Sequence, residues 1–250
     1  MSIRVLSPWL RVIQHPQATR RVVFFAHGGG SASFYRPLAQ ALPDDVEGVL
    51  VQYPGREDRI DEPPHVTMEQ LADNLTEAVR VLFDRPVWFF GHSMGASVAH
   101  EVTRRLADRS MLLPERLVVS GRPGPSLQSS DDLHLDDERL WHDVCRLGGT
   151  DYRLLLIPEL RAMVLPIMRA DYRLVETYRP SLSADLTIPV SCCYGREDPD
   201  MSCVEAEAWR EVTTGEFELQ SFPGGHFYLR NESEAALVAW LGTRVHERNH

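Results

Sequence analysis

The sequence predicts an α/β fold with a mostly parallel, doubly wound sheet. Three observations predict it. Short runs such as VVFF and VWFF are apolar at every position rather than alternating, which suits strands covered by helices on both faces. Amphipathic segments lie between these runs, so strand, helix and strand repeat and imply right-handed crossovers. The length of 250 residues is enough for one sizeable core.

The elements follow in order. Residues 9–14 read as an edge strand, and stronger strand candidates lie at 21–26 (RVVFFA), 46–53, 86–90, 116–120, 188–194 and 216–222. Helices are expected at 33–42, 67–83, 93–108, 204–213 and 233–241. The second helix opens on Thr67 with Gln70 three residues later, a capping-box pattern. Between 120 and 188 the alternation stops. A loop, GRPGPSLQSSDD, leads into helical patterns at 133–147 and 158–178, too much chain for a plain crossover. The expectation is a single domain over residues 1–250 with a helical lid insertion at about 125–185. The alternative is two structural helices that cover nothing.

Composition narrows the function classes. A formal charge of −10 argues against a nucleic-acid partner, because phosphate neutralisation needs a basic face. Every basic residue is arginine, which excludes a Schiff-base or general-base lysine. No run reaches the roughly 18 apolar residues of a membrane span, and MSIRVLSPWLRVIQ lacks the basic-then-apolar order of a signal peptide. Cys145, Cys192, Cys193 and Cys203 show no C-x-x-C spacing and read as free thiols in a reducing cytosol. The expectation is a cytoplasmic protein with no metal, no cofactor and no membrane partner. Oligomeric state stays open, a monomer included.

One stretch carries chemistry. Gly91-His92-Ser93-Met94-Gly95 fits G-x-S-x-G between a strand and a helix, a turn that strains the serine backbone and lifts its hydroxyl clear of the sheet. Side chains two before and two after would collide with the neighbouring helix and strand, hence the glycines. The Met94 amide falls in the first helical turn, where N–H groups are unpaired and the dipole favours an oxyanion.

A serine needs a base, and the base needs an orienting acid. His226 in PGGHFYL follows the last strand candidate and is the expected base. His92 is expected to turn away from Ser93 as a packing residue, and His100 to be buried or half-buried on the elbow helix. His15, His65, His134, His142, His246 and His250 have no supporting context. The acid should follow strand 188–194, where GREDPD offers Glu197, Asp198 and Asp200. Asp198 is preferred and Asp200 comes next. For the second oxyanion donor, AHGGGSASF offers the amide of Gly28, then Gly29. Nucleotide binding fits poorly: the lysine and serine/threonine of a P-loop are missing, and the next strand, ending VQYPGRED, is a poor match to the acidic position of a dinucleotide fingerprint.

These stretches, together with VQYPGREDRIDEPP, VVSGRPGPS, RLGGTD and LPIMRADYRLVETYRP, resemble the type II thioesterases of polyketide and nonribosomal peptide assembly lines. The likeness spans nearly the whole chain in order. YPGREDR and RADYRLVETYRP are the most specific parts, and HGGG departs from the HAGG-like loop of many relatives. The resemblance implies an α/β-hydrolase fold and hydrolysis of acyl groups from the phosphopantetheine arm of acyl or peptidyl carrier proteins. Residue by residue it implies Ser93 as nucleophile, Asp198 as acid, His226 as base, and the Met94 and Gly28 amides as oxyanion hole. Alternatives are a medium-chain fatty acyl thioesterase, a general carboxylesterase, an acyltransferase or a non-catalytic carrier-binding module. The long arm calls for a channel, with Leu154, Leu155, Leu156, Ile157, Met163, Leu165, Ile167 and Met168 as candidate lining. The alternative is that they form only the insertion's own core.

Overall fold

The computed structural model describes residues 2–148, 157–180, 186–230 and 233–246. Its strands are β1 (Ile3–Ser7), β2 (Leu10–Ile13), β3 (Arg20–Phe25), β4 (Val46–Val51), β5 (Val87–His92), β6 (Arg116–Ser120), β7 (Val190–Gly195) and β8 (Phe217–Phe222). They form an eight-stranded sheet in the order β1-β2-β4-β3-β5-β6-β7-β8. β1, β2 and β4 pair antiparallel, and every other pair is parallel. β3 to β6 are buried almost throughout, as their unbroken apolar runs require.

The helices are α1 (Ala32–Gln40), α2 (Met68–Val79), α3 (Met94–Asp108), α4 (Asp137–Leu147), α5 (Pro158–Thr177), α6 (Cys203–Glu207) and α7 (Glu234–Arg244). Thr67 caps α2 by accepting the Gln70 N–H, and the helix tightens into a 3-10 turn at Arg80–Leu82. A complete capping box stands instead at Ser202 and Glu205, ahead of α6. The helix expected at 204–213 is α6 continued by a 3-10 segment, Ala208–Val212.

One strand assignment is corrected. Residues 10–13 are not the edge: β2 pairs with β1 on one side and β4 on the other. The edge is β1, which the pattern missed because Ile3, Val5 and Leu6 are exposed and no buried face imposes a period on it.

Two apolar clusters form. The large one joins the sheet to its flanking helices, α3 most deeply. The small one, Leu140, Val144, Leu165 and Met168, joins α4 to α5 in the interval between β6 and β7. Parts of that interval, residues 149–156 and 181–185, lie outside the described residues, and RLGGTD with them in part. Among the described residues no helix is long and apolar enough to cross a membrane.

Candidate active site

The parallel strands β5 and β7, with the loop after β8, bring three distant segments to one edge of the sheet. β5 ends at His92 and α3 starts at Met94, leaving Ser93 alone at the turn with φ 54° and ψ −120°. A serine at positive φ costs roughly 1–3 kcal/mol. It is held there because its N–H donates to Ser120 O (2.7 Å) and its carbonyl accepts from the Ala96 N–H (2.9 Å). A side chain at Gly91 would run into the Gly95 carbonyl, and one at Gly95 into the Phe25 carbonyl of β3. The two glycines let strand, turn and helix pack at backbone distance.

β7 ends at Gly195, and the loop beyond it carries Asp198. Asp198 Oδ2 lies 2.9 Å from His226 Nδ1, with both side chains almost fully buried. A carboxylate only accepts, so Nδ1 carries the proton and the lone pair of a neutral ring sits on Nε2. The other Asp198 oxygen accepts the Asp200 N–H at 3.0 Å. Asp200 itself is bonded to Arg146 of α4, at 2.7 and 2.9 Å. Glu197 accepts from the Gly224 N–H and so braces the histidine loop. Three acids of one short loop thus have three separate partners. Among them Asp198 meets the histidine.

Ser93, Met94, Gly28 and His226 all line one cavity of about 680 Å³. Gly29, the second choice for oxyanion donor, is otherwise engaged: its N–H donates to Asp171 Oδ2 at 2.7 Å. Asp171 is on α5 and forms a buried two-pronged pair with Arg56, at 2.8 and 2.9 Å. Arg56 also donates to the Gly30 carbonyl at 3.0 Å. The YPGREDR and RADYR motifs therefore meet on the glycine loop, which a lone reading of either could not reveal.

A scan against known families decides the assignment: the thioesterase-domain family matches residues 20–242. The chain belongs to the thioesterase family. It is 42% identical over 232 residues to the thioesterase PikA5 of Streptomyces venezuelae, covering 90% of this chain and 81% of that one. Among solved structures it is similar to the type II thioesterase BorB of the borrelidin biosynthetic cluster, at 40% identity and TM-score 0.84, covering 96% and 98% of the two chains. It is also similar to RedJ, a thioesterase of the prodiginine pathway in Streptomyces coelicolor, at 36% identity and TM-score 0.84, covering 92% and 87%. The fold is that of the α/β-hydrolases, and the family's chemistry is thioester hydrolysis.

Further histidines crowd the thioesterase site. His27, read only as part of a glycine-rich loop, lines the cavity and bonds Tyr35 Oη through Nδ1 at 2.8 Å. Burial pushes its pKa down to about 3, so the ring is neutral. His92 turns to β6, where Nδ1 lies 2.9 Å from Ser120 Oγ, and Ser120 is 2.7 Å from Tyr228 Oη. Burial holds His92 well below its usual pKa, and its ring centroid is 4.9 Å from that of His226. His100 is buried against Trp209.

The cavity wall differs from the expected lining. Leu160, Val164, Met168, Tyr172 and Val175 of α5 face it, at the i, i+4 and i+3 spacing of one helix face. Of the residues named from sequence, Met168 lines it. Met163 is 63% exposed, Ile157 faces solvent and Leu165 belongs to the small core. Ile167 is not among the lining residues. Leu154, Leu155 and Leu156 lie outside the described residues. Among the described residues no three His, Cys, Asp or Glu side chains are grouped to hold a metal ion.

Proposed function

We propose that this thioesterase hydrolyses acyl groups from the phosphopantetheine arm of acyl or peptidyl carrier proteins, clearing stalled or misprimed polyketide and nonribosomal peptide synthases. The observation that carries the reading is the His226–Asp198 bond at a cavity also lined by Ser93 and Met94, in a chain 40% identical to a type II thioesterase. His226 Nε2 takes the Ser93 proton as Oγ attacks the thioester carbonyl carbon. The Met94 and Gly28 amides donate to the oxyanion. The C–S bond breaks, the pantetheine thiolate takes the proton from His226, and an acyl-serine remains. A water then gives a proton to His226 as its oxygen attacks the acyl carbon; the ester C–O bond breaks, Ser93 Oγ takes that proton back from His226, and the acid leaves. Asp198 keeps the proton on Nδ1 and stabilises the imidazolium.

In this reading the interval from about 125 to 185 is a lid over the cavity. Two ion pairs support that role: Arg146–Asp200 joins α4 to the acid loop, and Arg56–Asp171 joins α5 to the glycine loop. The protein works in the cytoplasm beside its synthases, with no metal or cofactor.

The test is deacylation of a panel of acyl-loaded carrier proteins, followed by intact mass, with wild type and Ser93→Ala. Loss of the acyl mass with wild type alone is expected. Carrier proteins that keep their acyl groups, beside rapid cleavage of simple oxygen esters, would turn the assignment to a general esterase.

A further inference from the structure

We propose that Arg122 forms an anion subsite within the cavity, binding an oxyacid group of the substrate: a carboxylate on the acyl chain or the phosphate of the arm. The inference deepens the thioesterase reading and rests on it. Arg122 follows Gly121, whose φ is +58° and where a side chain would press on the rings of His92 and His226. Its backbone therefore starts beside the catalytic ring. The Trp209 indole N–H donates to the Arg122 carbonyl at 2.7 Å and fixes that start.

Arg122 lines the cavity and is half-buried. Its Nε is buried with no hydrogen-bond partner, and Nη2 has only a long 3.5 Å contact to Gln128 Oε1. Burial lowers its pKa to about 10, which leaves it charged at neutral pH. Of the acids of the cavity wall, Asp131 is exposed and forms no ion pair with Arg122, Glu205 accepts from Ser202, and the other four are engaged elsewhere. Asp143 and Asp200 bond Arg146, Asp171 bonds Arg56, and Glu176 accepts from His134 and two loop amides. Among the described residues no carboxylate pairs with Arg122, whereas the other arginine of the wall, Arg146, is neutralised twice. Its Nε is shut off from water and Glu176 and Asp200 act on it only from beyond ion-pair distance, so the charge is incompletely compensated and held at a cost. A ligand that supplies the counter-charge removes that cost on binding. The planar fork of arginine matches both carboxylate and phosphate.

Four thioesters separate the sources: propionyl and methylmalonyl groups, each on N-acetylcysteamine and on phosphopantetheine. Wild type, Arg122→Met and Arg122→Lys are compared by kcat/KM, with melting temperature as the folding control. Arg122→Met is expected to lower the preference for an anionic substrate over its neutral counterpart tenfold or more, and Arg122→Lys to lower it less. A loss confined to methylmalonyl substrates assigns the acyl carboxylate; one confined to phosphopantetheine substrates assigns the phosphate. Equal preference in wild type and Arg122→Met overturns the subsite. If wild type cleaves neither the four thioesters nor an acyl-loaded carrier protein, the thioesterase reading of the site fails instead. Calorimetric binding of free phosphopantetheine and methylmalonate to Ser93→Ala, with and without Arg122→Met, then decides the subsite without turnover. At least one of the two should bind tenfold more weakly when Arg122 is replaced, and unchanged affinity for both overturns the proposal.

Discussion

Replacing Asp171 by asparagine keeps its shape and removes the charge that Arg56 faces. The pair is bidentate and both side chains are buried, at 6% and 3% exposure, so the orphaned guanidinium cannot turn to water. Breaking such a pair from one side costs about 3–5 kcal/mol. For a chain of this size each kcal/mol shifts the melting temperature by roughly 2–4 °C, so a fall of about 6–20 °C is expected. The loss should reach the chemistry as well. The Gly29 N–H loses its carboxylate acceptor, and the loop bearing the Gly28 amide loses its tie to α5. A misplacement of about 1 Å can cost ~10² in rate. That loss should fall on kcat with KM retained, since the oxyanion exists only in the transition state. Scanning fluorimetry and steady-state kinetics on an acyl-carrier substrate read both effects. The double variant Arg56→Met with Asp171→Leu separates them, because an apolar pair restores stability but not the loop. Wild-type melting temperature and kcat in Asp171→Asn would refute the reasoning.

Other outcomes follow from the same geometry. Asp198→Asn should cost about 10⁴ in kcat by mis-setting the His226 tautomer, while Asp200→Asn, which only releases Arg146, should cost far less; steady-state rates in the reverse order would make Asp200 the acid. Gly95→Ala has no room beside the Phe25 carbonyl, so the variant should melt early and resist an active-serine probe; a stable, labelled variant would contradict the elbow packing. His27 and His92 have folded pKa values below the 6.5 of the unfolded chain. From pH 6.5 downward the unfolded state binds more protons, so stability is intact above 6.5 and falls as pH drops toward about 3. Each ring contributes a slope of up to ~1.4 kcal/mol per pH unit, which urea unfolding at pH 7.5 and 5.0 would detect; equal stability at both would count against two neutral buried rings. Val164→Trp should shift acyl preference toward shorter chains on a loaded-carrier panel, and an unchanged profile would remove α5 from the acyl pocket.

The parts of this fold legible in the sequence are those where burial leaves a pattern. VVFF and VWFF read as central strands because helices cover both faces, whereas exposed β1 left no period to read. The elbow is legible because its glycines mark collisions only two residues away in the chain. Asp198 and Asp200 sit in one loop, and what separates them is Arg146, more than fifty positions earlier on α4. Arg56 and Asp171 are 115 residues apart, so their motifs could be noticed but their contact could not. His27 stands directly before three glycines that mask it, although a histidine next to such a loop is a usable signal. The face of α5 is legible in the spacing of Leu160, Val164 and Met168, whereas apolar content alone does not separate them from Met163, which is exposed.

Helix α5 lines the cavity along its length, and only its later turns also carry a second task. Its early turns offer Leu160 and Val164 to the cavity, while Asp171, farther along, grips Arg56 and the glycine loop. Bulk can therefore be added or trimmed on the early turns without disturbing the Asp171 bonds that hold the glycine loop. A lineage carrying this helix can reshape the pocket by drift in its first turns while selection holds Asp171 still.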